Sequence, residues 1–98
     1  MVLSIKQFTD VSNLSGLAKD VRTWGAAWTD FNGDSLPDIY VSNHQYFASL
    51  YINQGDGTFK DIAPDVMPDV NRDTHGAAWA DFDNDGDPDL MQVSGGAI

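Results

Sequence analysis

The chain repeats itself at an interval of 51 residues. Thr23, Gly25, Ala26, Ala27, Trp28 and Asp30 recur as Thr74, Gly76, Ala77, Ala78, Trp79 and Asp81, and Phe8, Asp10 and Val11 correspond to Phe59, Asp61 and Ile62. A period of this length in a strand-rich sequence restricts the fold to arrays of one supersecondary unit, propeller blades above all, because each unit buries its apolar face only against its neighbours. The expected fold class is all-β: β-propeller blades of four antiparallel strands, about two repeats per chain.

Within one period, the alternation of β-branched and aromatic residues places strands at 24–29, 38–43, 49–53 and 58–62, the last ended by Pro64. Gln54-Gly55-Asp56-Gly57 supplies the turn between the third and fourth. Gly25-Ala26-Ala27 and Gly76-Ala77-Ala78 leave room for close backbone approach, as an innermost strand beside a central axis needs. Trp28 and Trp79 are expected to pack between adjacent blades. The 98 residues then form a single module in which 1–12 is the last strand of a preceding blade, 23–63 a complete blade and 74–98 the first half of a following one.

Each innermost strand runs into a nine-residue aspartate cluster, DFNGDSLPD at 30–38 and DFDNDGDPD at 81–89. Oxygen-bearing side chains at positions one, three, five and nine of so short a loop repel one another unless a hard cation sits among them. Calcium, which accepts six to eight oxygens at flexible geometry, suits such a set. Asp, Asn and Gly also form ordinary turns, but the recurrence of the spacing favours the cation. The expected ligands are Asp30, Asn32, Asp34 and Asp38 with the Leu36 carbonyl, and Asp81, Asp83, Asp85 and Asp89 with the Asp87 carbonyl, giving two Ca2+ sites per chain. An EF-hand closes on a bidentate Glu at position twelve; Val41 and Gln92 stand there, and all 15 acidic residues are Asp. Ser35 occupies position six of the first loop where the second has Gly86. The first site is therefore expected to be weaker or more constrained, with Gly33 at position four relieving the turn.

A formal charge of −10 argues against a nucleic-acid partner. With 42% hydrophobic and 11% aromatic residues the chain is globular in character. The absence of cysteine removes disulfides and thiolate zinc sites. No apolar run approaches membrane-spanning length, so no membrane insertion is expected, and the N-terminal residues are too short for a signal peptide.

GAAWTDFNGDSLPDIYVSN and GAAWADFDNDGDPDLMQVS, with LYINQGDGTFKDIA between them, resemble FG-GAP or VCBS repeats, the calcium-loop blades of integrin-α-like β-propellers. The opening FTDVSNLSGL is similar to the lead-in of bacterial propeller proteins carrying such repeats beside an ASPIC/UnbV segment. The resemblance implies calcium ions that stiffen the blades, surfaces used for adhesion or recognition, and an extracellular or periplasmic location. It implies no enzymatic activity. Family propellers close several blades into a ring, so this chain is expected to complete its blades with other copies as a cyclic homo-oligomer. The alternative is a fragment of a larger propeller protein.

His44 and His75 lie beside no nucleophile motif, and His75 holds the position of Trp24 in the other copy, which favours packing or exposure over catalysis. Paired aspartates could serve glycoside hydrolysis, but their repetition as a chelating loop speaks against it. A glycan or protein ligand is the remaining expectation, with Tyr46 and Phe47, on the loop after the second strand, as candidate contacts or as covers of the blade edge.

Overall fold

The computed structural model describes residues 7–44, 46–67 and 73–94. Its elements are α1 (Ser12–Ser15), β1 (Thr23–Thr29), β2 (Asp38–Asn43), β3 (Ser49–Asn53), β4 (Phe59–Asp61), α2 (Ala63–Val66), β5 (Thr74–Ala80) and β6 (Asp89–Ser94). The first four strands form one antiparallel meander in sequence order, and β5 pairs with β6 in a second sheet. The second sheet repeats the pairing of β1 with β2 after the 51-residue interval, with the same register. The outer parts of the expected flanking pieces, residues 1–6 and 95–98, lie outside the described residues.

The core lies between the two sheets. Tyr40, Ala48, Leu50 and Ala63 are buried together, and Met67, Ala77, Trp79 and Leu90 pack against them. Trp79 supplies the largest of the side chains reaching across, and its indole Nε1 donates to the Ala27 carbonyl at 3.1 Å, so its half-buried ring has no orphaned N–H. Tyr40, fully buried, donates from its hydroxyl to Gln92 Oε1 at 2.8 Å. Both contacts join the four-stranded sheet to the next pair of strands, which is the neighbour-on-neighbour burial that a repeat array requires.

Strands β1 and β5 approach closely where their glycines fall. A Cβ at Gly25 would lie 3.3 Å from the His75 carbonyl oxygen and 3.6 Å from Gly76 Cα, so the small residues are present because two backbones meet there. Both inner strands also carry a register shift at the same place. Thr23 pairs with Asn43 and Gly25 with Ser42, leaving Trp24 as the extra residue; Thr74 pairs with Ser94 and Gly76 with Val93, leaving His75. These are β-bulges, which increase local twist and redirect the side chain of the inserted residue.

Two expectations need correction. Pro64 does not simply end the fourth strand: it sits in the first turn of α2, where its missing N–H has no helical partner to lose. And the described part of 1–12, residues 7–11, forms no strand. Phe59–Asp61 is a strand because β3 pairs with it, whereas Phe8–Asp10 has no such partner among the described residues and Phe8 is fully exposed. The repeat nevertheless persists there. Helix α1 stands 51 residues before α2, and Asp10 Oδ1 accepts from the Ser12 N–H at 2.9 Å as Asp61 Oδ1 accepts from the Ala63 N–H at 3.0 Å.

Candidate metal centres

Each aspartate cluster joins an inner strand to its neighbour, and the two loops share one hydrogen-bond scaffold. Asp30 Oδ2 accepts from the Ser35 N–H at 2.8 Å, as Asp81 Oδ2 does from the Gly86 N–H at 2.9 Å. The other oxygen of each accepts from the N–H of Asp34 or Asp85 at 3.1 Å. Asp34 Oδ1 takes the Leu36 N–H and Asp85 Oδ1 the Asp87 N–H, both at 2.9 Å. Asp38 Oδ2 and Asp89 Oδ2 take the N–H of Phe31 and of Phe82, again both at 2.9 Å. Backbone donors thus fix the carboxylates while leaving further lone pairs free to ligate.

Carboxylate oxygens of Asp30, Asp34 and Asp38 lie within 4.8 Å of one another, as do those of Asp81, Asp83, Asp85 and Asp89. Those seven aspartates are brought together as their spacing suggests. Asn32 Oδ1 accepts the Asp34 N–H at 3.3 Å, the same bond that Asp83 Oδ1 makes to Asp85, so Asn32 holds the place of Asp83. Asp87 is exposed and its side chain stands outside the converging set, in keeping with a role for its carbonyl alone.

The electrostatics of the second loop show its crowding. The Gly86 N–H holds the Asp81 carboxyl below the ordinary carboxylate range. Asp83 is pushed up, first by loss of hydration among its neighbours and then by the Asp85 side chain, with the Asp89 charge adding. A carboxylate resisting ionisation beside like charges is one that a divalent cation would relieve. The all-oxygen donor set fits calcium or another hard cation.

Residues 30–91 match the FG-GAP-like repeat, well over half of the chain. The chain belongs to the FG-GAP-like repeat family. It is 32% identical over 83 residues to cartilage acidic protein 1 of Mus musculus and of Homo sapiens, an alignment covering 84% of this chain and 13% of each relative. To cartilage acidic protein 1 of Xenopus tropicalis it is 36% identical over 77 residues, covering 78% of this chain and 12% of the relative. The chain thus spans about an eighth of the length of these relatives. No solved structure matches.

In these FG-GAP-like loops the strained positions are shared while the residues are exchanged. Position four is Gly33 at φ 76° or Asn84 at φ 63°, and position six is Ser35 at φ 68° or Gly86 at φ 90°. Both positions are left-handed in both loops, so Gly33 does not relieve position six; each loop has one glycine and one residue under strain. Asn tolerates this region better than Ser. Ser35→Gly removes roughly 1–2 kcal/mol of strain and adds about 0.5–1 kcal/mol of unfolded-chain entropy, so a net gain of about 0.5–1 kcal/mol is expected. Gly86→Ser is expected to lose about as much. Urea unfolding of the two variants checks the pair, and a loss in both would contradict the strain at Ser35.

Tyr46 and Phe47 are partly exposed, packed edge to face at 6.0 Å, with Lys19 Nζ 5.2 Å from the Tyr46 ring centroid. Together with Met67 they border an open cavity of about 310 Å³. A further group was invisible in the spacing: His44 and His75, neither of them read as a ligand, converge on Asp73. Of the two tryptophans matched by the repeat, Trp79 packs between the sheets, whereas Trp28 is 56% exposed and touches Phe59 edge to face.

Proposed function

We propose that this chain is a calcium-binding β-propeller repeat module, structural and adhesive rather than enzymatic, with one ion in each aspartate loop. The observation that carries this reading is the duplicated loop: the same backbone bonds orient carboxylates toward one point twice, 51 residues apart. Family membership supports it by placing the chain among repeat modules of larger proteins. Two calcium ions would bring the formal charge from −10 to −6. When bound, calcium supplies charge neutralisation and rigidity. The chain's own residues supply the orientation of the carboxylates and the tie from each loop to its sheet.

Assembly with further blades is part of the reading. Trp28 on β1 is exposed, as are Met91 and Val93 on the last strand, so the described sheets present large apolar groups that an adjoining blade would cover. Those blades come from other copies in a cyclic homo-oligomer or from the remainder of a longer propeller. The relatives are named for cartilage, which supports an extracellular location, and a periplasmic one would offer the same calcium. No helix among the described residues is long and apolar enough to cross a membrane. A glycan or protein ligand would meet Tyr46 and Phe47.

Isothermal titration counting two calcium ions per chain, each lost in the matching Asp34→Ala or Asp85→Ala variant, tests the binding. A stoichiometry unchanged by both variants would refute it. Light scattering in calcium separates the assemblies, since a stable monomer rules out the homo-oligomer. A glycan array with and without calcium tests for a sugar ligand.

A further inference from the structure

We infer that His44, Asp73 and His75 form a second kind of metal centre, one for a borderline divalent ion of the zinc class. Asp73 Oδ1 lies 2.8 Å from His44 Nδ1 and 2.9 Å from His75 Nε2. Two imidazole nitrogens and a carboxylate oxygen are ligands that zinc takes readily and calcium does not. Ligand atoms on a tetrahedral ion with bonds of about 2.0–2.1 Å stand roughly 3.3 Å apart. Each of the two measured separations therefore needs to open by only about half an ångström to admit the ion.

Three features of the fold build this arrangement. His44 is held just past the end of β2 by its N–H, which donates to the Arg22 carbonyl at 2.6 Å. His75 is the inserted residue of the β5 bulge. Fully buried Thr74, between Asp73 and His75, anchors that strand. Trp24, the inserted residue of the β1 bulge, closes one side, its ring 5.3 Å from His44 and 5.4 Å from His75 between centroids.

An independent sign of a missing ligand is His44 Nδ1. It is buried and makes no hydrogen bond, although the Asp73 oxygen stands 2.8 Å away. The ring nitrogen is thus left for another partner. Nor does the blade itself demand the trio: 51 residues earlier, Arg22 and Trp24 occupy the places of Asp73 and His75. The centre also lies six residues along β5 from Asp81, about 20 Å, so it is separate from the aspartate loops. Three protein ligands leave a fourth position open to water or to a group from an adjoining blade.

The test is a zinc titration of the whole chain in excess calcium, followed by calorimetry and by the NMR signals of both histidine rings. One zinc per chain is expected, with both rings shifting together at equal stoichiometry. His44→Ala and His75→Ala are each expected to weaken binding at least tenfold, since removing even a group that only orients a ligand costs that much. Cobalt in place of zinc is expected to give the intense visible bands of a tetrahedral site. Zinc affinity unchanged in either variant, or zinc that shifts only one ring or neither, overturns the centre. The ring signals of the unmodified chain decide the matter even where a variant fails to fold.

Discussion

Withdrawing calcium with a chelator is expected to lower the thermal midpoint of this chain by roughly 10–20 °C. At a free calcium concentration ten times the dissociation constant, one site that binds only the folded state adds about 1.4 kcal/mol, and two such sites about 3 kcal/mol. For a domain of this size each kilocalorie moves the midpoint by about 4–8 °C. The effect follows from the loops. Seven carboxylates converge in two groups, so without a cation the folded state brings together like charges that the unfolded chain keeps apart. Calorimetry at a series of calcium concentrations measures this directly. A midpoint that does not depend on calcium would remove the cation from the loops and leave them as turns. Magnesium, which demands tighter octahedral geometry and gives up water reluctantly, is expected to stabilise less at equal concentration.

Much of this arrangement was legible in the sequence because it is carried by local chemistry. The strands of the four-stranded sheet sit within a residue of the positions that β-branched and aromatic alternation assigned them, and the aspartate spacing alone picked out the carboxylates that converge. What was not legible depends on contacts distant along the chain. Residues 7–11 resemble Phe59–Asp61 in sequence, but a strand needs a partner, and β3 serves only the later copy. Pro64 reads as a stop from strand chemistry and as a helix start only once the chain has turned. Ser35 and Asn84 share a backbone region with the glycines of the opposite loops, which residue identity at one position cannot reveal. The His44, Asp73 and His75 group is the clearest case. Its members are unremarkable singly; two bulges and the approach of β1 to β5 at Gly25 bring them together.

Asp38→Ala is expected to be the most damaging single substitution in the loops, costing about 2–5 kcal/mol before any calcium is considered. Asp38 is fully buried, and both of its oxygens accept backbone hydrogen bonds: Oδ2 from Phe31 at 2.9 Å and Oδ1 from Asn53 at 2.8 Å. One carboxylate therefore pins the start of the loop, the start of β2 and the end of β3. Truncation leaves two backbone donors without acceptors, each costing about 1–3 kcal/mol where it stays shielded from water. That is a large share of the 5–15 kcal/mol that holds a small domain together. Asp38→Asn keeps the shape and one acceptor but turns an amide N–H toward the other donor, so about half the loss is expected. Asp89 supplies a built-in comparison. It makes the equivalent bond to Phe82 at 2.9 Å but is only half-buried, and β6 has no third strand beside it among the described residues. Asp89→Ala should therefore cost markedly less than Asp38→Ala in calcium-free urea unfolding. Equal losses would show that the Asn53 bond adds nothing, and a loss below about 1 kcal/mol for Asp38→Ala would mean that water reaches both freed donors. With calcium restored both losses should grow, because each substitution removes a proposed ligand as well as a brace.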